Sequence, residues 1–103
     1  MTGEELHQMI VSKWGCSFDV QLRKVQGKVF FQVMWKYLEQ ASFPMSEEEY
    51  FDHLNDIAQY LNAWGSSHQV QAYIDQTSER PRLGKAVSVA LDLGDRASEW
   101  MLE

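Results

Sequence analysis

The sequence predicts an α+β fold, a three-stranded, mainly antiparallel sheet with helices packed on one face, in the order αββααβα. Two capping boxes, Thr2 with Glu5 and Ser46 with Glu49, each precede apolar residues at helical spacing. Two runs of β pattern flank Gln26-Gly27, and a third follows Pro81 and Gly84, which cannot continue a helix.

The first helix starts at the Thr2 box, carries Leu6, Met9, Ile10 and Trp14 on one stripe, and stops at Gly15. From Phe18 the period changes to two, with Phe18, Val20 and Leu22 alternating with Asp19, Gln21 and Arg23, as suits a strand with one wet face. Gln26-Gly27 supplies the turn. Residues 29–38 place Val29, Phe31, Val33, Trp35 and Tyr37 on one face and Phe30, Met34 and Leu38 on the other, so they read as a central strand, apolar on both sides. A helix is the rival, because Phe30, Val33, Met34, Tyr37 and Leu38 also fit a 3.6 period; the hairpin turn before them decides for the strand, whose last residues bend or become helical.

Residues 42–45 are a connector. The second helix then carries Tyr50, Leu54, Ile57, Ala58, Leu61 and Trp64 to Gly65. Ser66-Ser67 offer a new N-cap for a shorter helix with Val70, Tyr73 and Ile74 that fades near Thr77, and the two helices meet at a corner. After a polar loop over 79–85, residues 86–91 form a short strand with Val87, Val89 and Leu91 on one face. A final short helix from about Asp95 carries Trp100, Met101 and Leu102.

With 103 residues, the chain is read as one domain over 1–103, since so short a chain rarely divides into two stable cores. Its 45% apolar and 13% aromatic content supplies a core and excludes a disordered chain. No stretch approaches the roughly 20 apolar residues of a membrane span. The acidic start, Met1-Thr2-Gly3-Glu4-Glu5, does not resemble a basic leader, and the single Cys16 suits a reducing compartment, so a cytoplasmic location is expected. Net charge of −6 opposes binding to nucleic acid, whose affinity comes largely from Lys and Arg on phosphates.

Three segments carry a family resemblance: Gln32-Val33-Met34-Trp35-Lys36-Tyr37-Leu38-Glu39-Gln40, Phe43-Pro44-Met45-Ser46-Glu47-Glu48-Glu49-Tyr50 and Arg80-Pro81-Arg82-Leu83-Gly84-Lys85-Ala86-Val87. With the tail Leu91-Asp92-Leu93-Gly94-Asp95-Arg96-Ala97-Ser98-Glu99-Trp100, they make nearly the whole chain resemble domain of unknown function 3067. That family comprises small cyanobacterial proteins with relatives in chloroplasts. The resemblance implies a setting and no mechanism: a role linked to photosynthesis or plastid upkeep, in assembling or regulating a larger complex.

No catalytic set stands out. Glu49, His53 and Asp56 can share a helix face, but the di-iron pattern needs Glu three residues before His, where Tyr50 stands, and HExxH is absent. There is no GxSxG elbow and no dinucleotide fingerprint. Gly84-Lys85 ends like a phosphate loop, yet Glu79 stands where that loop needs glycine and Ala86 where it needs Ser or Thr. No cofactor, metal or catalytic residue is expected, and no enzyme activity is favoured.

Charge is segregated. Residues 41–79 hold seven acids, Glu47, Glu48, Glu49, Asp52, Asp56, Asp75 and Glu79, and no Lys or Arg. Acids in a first helical turn suit the macrodipole, but Asp56, Asp75 and Glu79 lie beyond that reason; they steer a basic partner or serve solubility. Arg80, Arg82 and Lys85 form the opposite cluster, stiffened by Pro81. They dock on a carboxylate or phosphate of a partner, or pair with the acidic helices of the same molecule. Trp14, Trp35, Trp64 and Trp100 are expected in the core. If helices cover one face only, Phe30, Met34 and Leu38 form an apolar patch on the other.

The expected function is thus a non-enzymatic protein-interaction domain with Arg80, Arg82, Lys85, Phe30 and Met34 at the partner surface. The alternative is a small-molecule or enzymatic domain with its site between the sheet and the long helix. A monomer is expected, or a weak homodimer formed by edge pairing of the strand over 86–91.

Overall fold

The structure, a computed structural model, describes residues 1–93. The helix expected from Asp95 and the fourth tryptophan, Trp100, lie outside the described residues. Helix α1 (Gly3–Trp14) is followed by strands β1 (Phe18–Val25) and β2 (Lys28–Tyr37), helices α2 (Glu47–Ala63) and α3 (Ser67–Gln76), and strand β3 (Val87–Ala90). The sheet has order β1-β2-β3 with both pairs antiparallel. The fold is α+β, as the sequence predicts.

Both capping boxes form. Thr2 Oγ1 accepts from the Glu5 N–H at 3.1 Å while Glu5 Oε1 accepts from the Thr2 N–H at 2.9 Å, and Ser46 and Glu49 repeat the pattern in α2. Each box satisfies two backbone donors that helix geometry leaves without intrahelical partners. Gln26 and Gly27 take φ values of 51° and 80°. Two successive positive φ angles make the tight hairpin whose twist matches its strands. That turn fixes β2 as a strand, because it sets Val25 opposite Lys28 and carries the pairing on to Val20 opposite Val33.

Val20, Val29, Phe31, Val33, Val87 and Val89 turn one sheet face to the helices, each 8% exposed or less. Leu6, Ile10 and Trp14 of α1 cover it together with the expected stripe of α2 and with Val70 and Ile74 of α3. Burying a side chain of this size stabilises the fold by about 1.5–3 kcal/mol, so this layer dominates. At Gly3 the first turn of α1 meets α2 closely enough for its N–H to donate to Asn55 Oδ1 at 3.0 Å.

The end of β2 departs from simple alternation. Register shifts from Val20 opposite Val33 to Phe18 opposite Tyr37, leaving Met34, Trp35 and Lys36 opposite Asp19 alone. Such a bulge turns the side chains after it. Trp35 is therefore half-buried and not in the core with Trp14 and Trp64, and Leu38 packs against the core instead of joining the open face.

Helix side chains occupy both sheet edges. In a two-residue hairpin Val25 and Lys28 bond each other, so Val20 and Leu22, at alternate register, direct their backbone groups outward. The Val20 carbonyl accepts from His53 Nε2 at 2.6 Å, and the Phe18 carbonyl from the Tyr50 hydroxyl at 2.8 Å. Beyond β3, Gln69 Nε2 donates to the Ala90 carbonyl at 2.8 Å and its Oε1 accepts from the Asp92 N–H at 2.9 Å. The Gln69 amide thus takes the place of a neighbouring peptide group, and part of the edge expected to pair with a second copy is already bonded.

Candidate functional site

Ionisable and hydroxyl groups gather where α1, α2 and the start of β1 meet. His7 Nε2 lies 2.8 Å from Ser17 Oγ, and the Ser17 N–H donates to Glu39 Oε1 at 3.0 Å. Burial pushes the Glu39 carboxyl up, but hydrogen bonds from the Ser17 N–H and hydroxyl outweigh it and hold the group below its ordinary value. The Ser17 hydroxyl thus lies between the His7 imidazole and the Glu39 carboxylate. In a nucleophilic site the proton goes to the histidine and the oxygen faces substrate. Ser17 is instead buried, and the arrangement ties α1, β1 and the end of β2 together.

The second histidine belongs to the same seam. His53 Nε2 sits 3.7 Å from Asp19 Oδ1 while bonded to the Val20 carbonyl. Burial raises the Asp19 carboxyl, against the pull of His53. Tyr50, driven up by burial and then by the charges of Asp19 and Glu39, remains a neutral donor. Among the described residues no three His, Cys, Asp or Glu side chains are placed to hold a metal ion.

The space between the sheet and α2 is filled by Tyr50, Leu54, Ile57 and Leu61, each 5% exposed or less. A groove of about 650 Å³ instead opens between α1 and α3, lined by Met9, Lys13, His68, Gln71, Ile74 and Asp75. Another of about 500 Å³ lies along Asp56, Gln59, Tyr60 and Ala63 of α2.

The cationic loop has an anchored base and a projecting tip. Trp14 Nε1 donates to the Glu79 carbonyl at 3.0 Å, and the Tyr73 hydroxyl donates to Glu79 Oε2 at 3.0 Å. Arg80 Nη1 donates to the Trp14 carbonyl at 3.2 Å, with its guanidinium 5.9 Å from the Phe18 ring centre. Pro81 is buried. Beyond it, Arg82 and Lys85 close a four-residue turn by reciprocal backbone bonds of 3.0 and 2.7 Å. Gly84 takes φ 77° at its third position, which a side chain would resist. Leu83, at the second position, is 89% exposed.

The structure thus separates the three cations. Arg80 is engaged with α1 and Phe18, whereas Arg82 and Lys85 flank the exposed leucine. Among the described residues none of the three forms an ion pair with a carboxylate, so the expected pairing with the acidic helices is not made there. Leu83 was not singled out by the sequence reading. Its one signal there is an apolar residue between Arg82 and Gly84, outside any periodic stripe.

Phe30 and Met34 lie half-buried on the sheet face away from the helices. They do not join in one strip. Gln32 stands between them in the strand, bonded on either side by Gln21 Nε2 at 2.9 Å and to Ser88 Oγ at 3.1 Å. Phe30 itself stands between Arg23 and Ala90. No helix among the described residues is long and apolar enough to cross a membrane.

Comparison with known proteins places these features in a family context. The profile of the family described as Domain of unknown function (DUF3067) matches residues 4–101. The solution NMR structure of the Alr2454 protein from Nostoc sp. strain PCC 7120 is similar over 100% of both chains, with 65% sequence identity and a TM-score of 0.89. No curated protein matches.

Proposed function

The chain belongs to the DUF3067 family, and from its geometry we propose that it is a non-catalytic protein-interaction domain that docks through the loop over residues 80–85. One observation carries this reading: Leu83 is 89% exposed at the tip of a closed turn, between two cations that make no ion pair with a carboxylate among the described residues. Guanidinium and ammonium groups presented beside apolar surface suit a protein interface with an apolar centre and a polar rim.

In this reading Arg82 and Lys85 make the polar contacts and Arg80 holds the base of the loop while offering its remaining donors. Phe30 and Met34 supply a second, more polar contact surface on the open sheet face. The role is assembly or regulation of a larger complex in the cytoplasm of a photosynthetic cell, which the cyanobacterial source of the 65% identical relative supports. The test is capture of partners from native lysate with the wild-type chain and with Arg82→Glu plus Lys85→Glu. Loss of specific partners from a variant that still folds supports the reading; an identical partner set removes the loop from it.

A further inference from the structure

We infer that Leu83 is the anchor of this surface, and that it enters an apolar pocket on a protein partner whose rim carries Asp or Glu side chains. The inference rests on the interaction-domain reading and adds to it the anchoring residue and the chemistry of the partner. Among the large exposed apolar side chains of the described residues, Leu83 at 89% far exceeds Tyr60 at 43% and Val25 at 42%. A leucine so exposed contributes little to the fold, and in water its surface is unfavourable.

The backbone holds it there. Reciprocal bonds between Arg82 and Lys85, the left-handed Gly84 and the buried Pro81 fix the turn on a base fastened to α1 through Trp14. An apolar group already fixed in position loses little freedom on binding, which is how preorganised surfaces gain affinity. The flanking Arg82 and Lys85 then choose the pocket's rim. A guanidinium engages a carboxylate through two parallel hydrogen bonds, and an acidic rim also speeds encounter with a cationic tip.

A lipid surface fits less well. A whole myristoyl chain gives only marginal membrane binding, and one leucine side chain inserts far less apolar surface. The seven acids over residues 41–79 would be repelled by the same anionic headgroups that attract the loop.

The experiment places a photoreactive phenylalanine analogue at position 83 of the full chain, irradiates it in native lysate and maps the cross-linked residues by mass spectrometry. The cross-link should fall on a polypeptide, at an apolar site bordered by Asp or Glu. Affinity of the unsubstituted chain for the purified partner should fall roughly 10- to 100-fold with Leu83→Ser, the range set by burying one leucine, while the melting temperature stays unchanged. Failure to cross-link any protein overturns the inference, as does attachment to nucleic acid or to a site without acids. So does binding of the chain to phosphatidylcholine vesicles containing phosphatidylserine that Leu83→Ser abolishes. If Arg82→Glu plus Lys85→Glu abolishes binding and Leu83→Ser changes it less than about twofold, the loop stands and the anchor falls; if neither variant matters, both readings fall.

Discussion

Replacing Gly3 with alanine sets helix propensity against packing, and the packing should win. Within a helix, alanine is favoured over glycine by about 0.5–1 kcal/mol, so a surface glycine would gain from the change. Gly3 is buried against α2. A Cβ built there would lie 2.7 Å from the backbone nitrogen of Asn55, with the side-chain amide of the same residue also in collision. The side chain can rotate away, but the backbone cannot. Comfortable contact needs about 3.5 Å, so α1 must retreat by roughly 0.8 Å and release the bond from its N–H to Asn55 Oδ1. Losing that bond costs about 0.5–1.5 kcal/mol and overpacking about 1–3 kcal/mol. After the propensity gain, the expected loss is roughly 0.5–4 kcal/mol, and each kcal/mol lowers the melting temperature by about 4–8 °C in a domain of this size. Urea unfolding should show a lower midpoint at unchanged slope. Adding Asn55→Ala should restore only part of the loss, because the backbone collision remains. A Gly3→Ala chain as stable as wild type would refute the close approach of α1 and α2.

Other consequences are equally direct. Phe31→Ala, which empties a side-chain site 1% exposed at the centre of the sheet, should cost about 3–5 kcal/mol by urea unfolding; a loss under 1 kcal/mol would contradict the packing. Arg82→Glu plus Lys85→Glu should shift stability by no more than about 0.5 kcal/mol, whereas Arg80→Glu should cost more because Arg80 bonds the Trp14 carbonyl. Gln69→Ala should leave the Asp92 N–H less protected in hydrogen exchange, since Gln69 Oε1 is its acceptor; unchanged protection would show that the edge is closed otherwise.

Acid should act on two carboxyls in opposite senses. Burial raises Asp19, so the folded chain holds that proton more tightly than the unfolded chain, and this group favours folding increasingly as pH falls from its folded value to its ordinary one. Glu39 is pushed up by burial but held low overall by Ser17, so its contribution is present above its ordinary value and is lost as pH falls through its folded value. Carboxyl-carbon NMR titration should place Asp19 above an ordinary aspartate and Glu39 below an ordinary glutamate; the reverse displacements would contradict the seam.

Local chemistry made much of this fold readable. Thr2 with Glu5 and Ser46 with Glu49 mark helix starts because their hydrogen bonds close within four residues, and Gln26-Gly27 marks a hairpin because few residues tolerate its two positive φ angles. What escaped depends on contacts distant in sequence. The bulge opposite Asp19 follows from how β1 and β2 meet, so strict alternation assigned Trp35 to the core and Leu38 to the open face. His53 shares a helix face with Glu49 and Asp56 by spacing, and only the fold shows that it reaches the Val20 carbonyl at the sheet edge. For the surface, the charges of Arg82 and Lys85 were visible, but the exposure of Leu83 appears only once Pro81 is buried and the turn beyond it closes.

The central claim is that the turn around Leu83 meets the partner. Titrating isotope-labelled chain with a partner purified by cross-linking, and following its backbone amide signals, would test it most directly. The claim predicts that the largest changes centre on Arg82, Leu83, Gly84 and Lys85, with the amides of α2 little affected. Changes centred on α2 or on the groove between α1 and α3, with the turn unmoved, would contradict it.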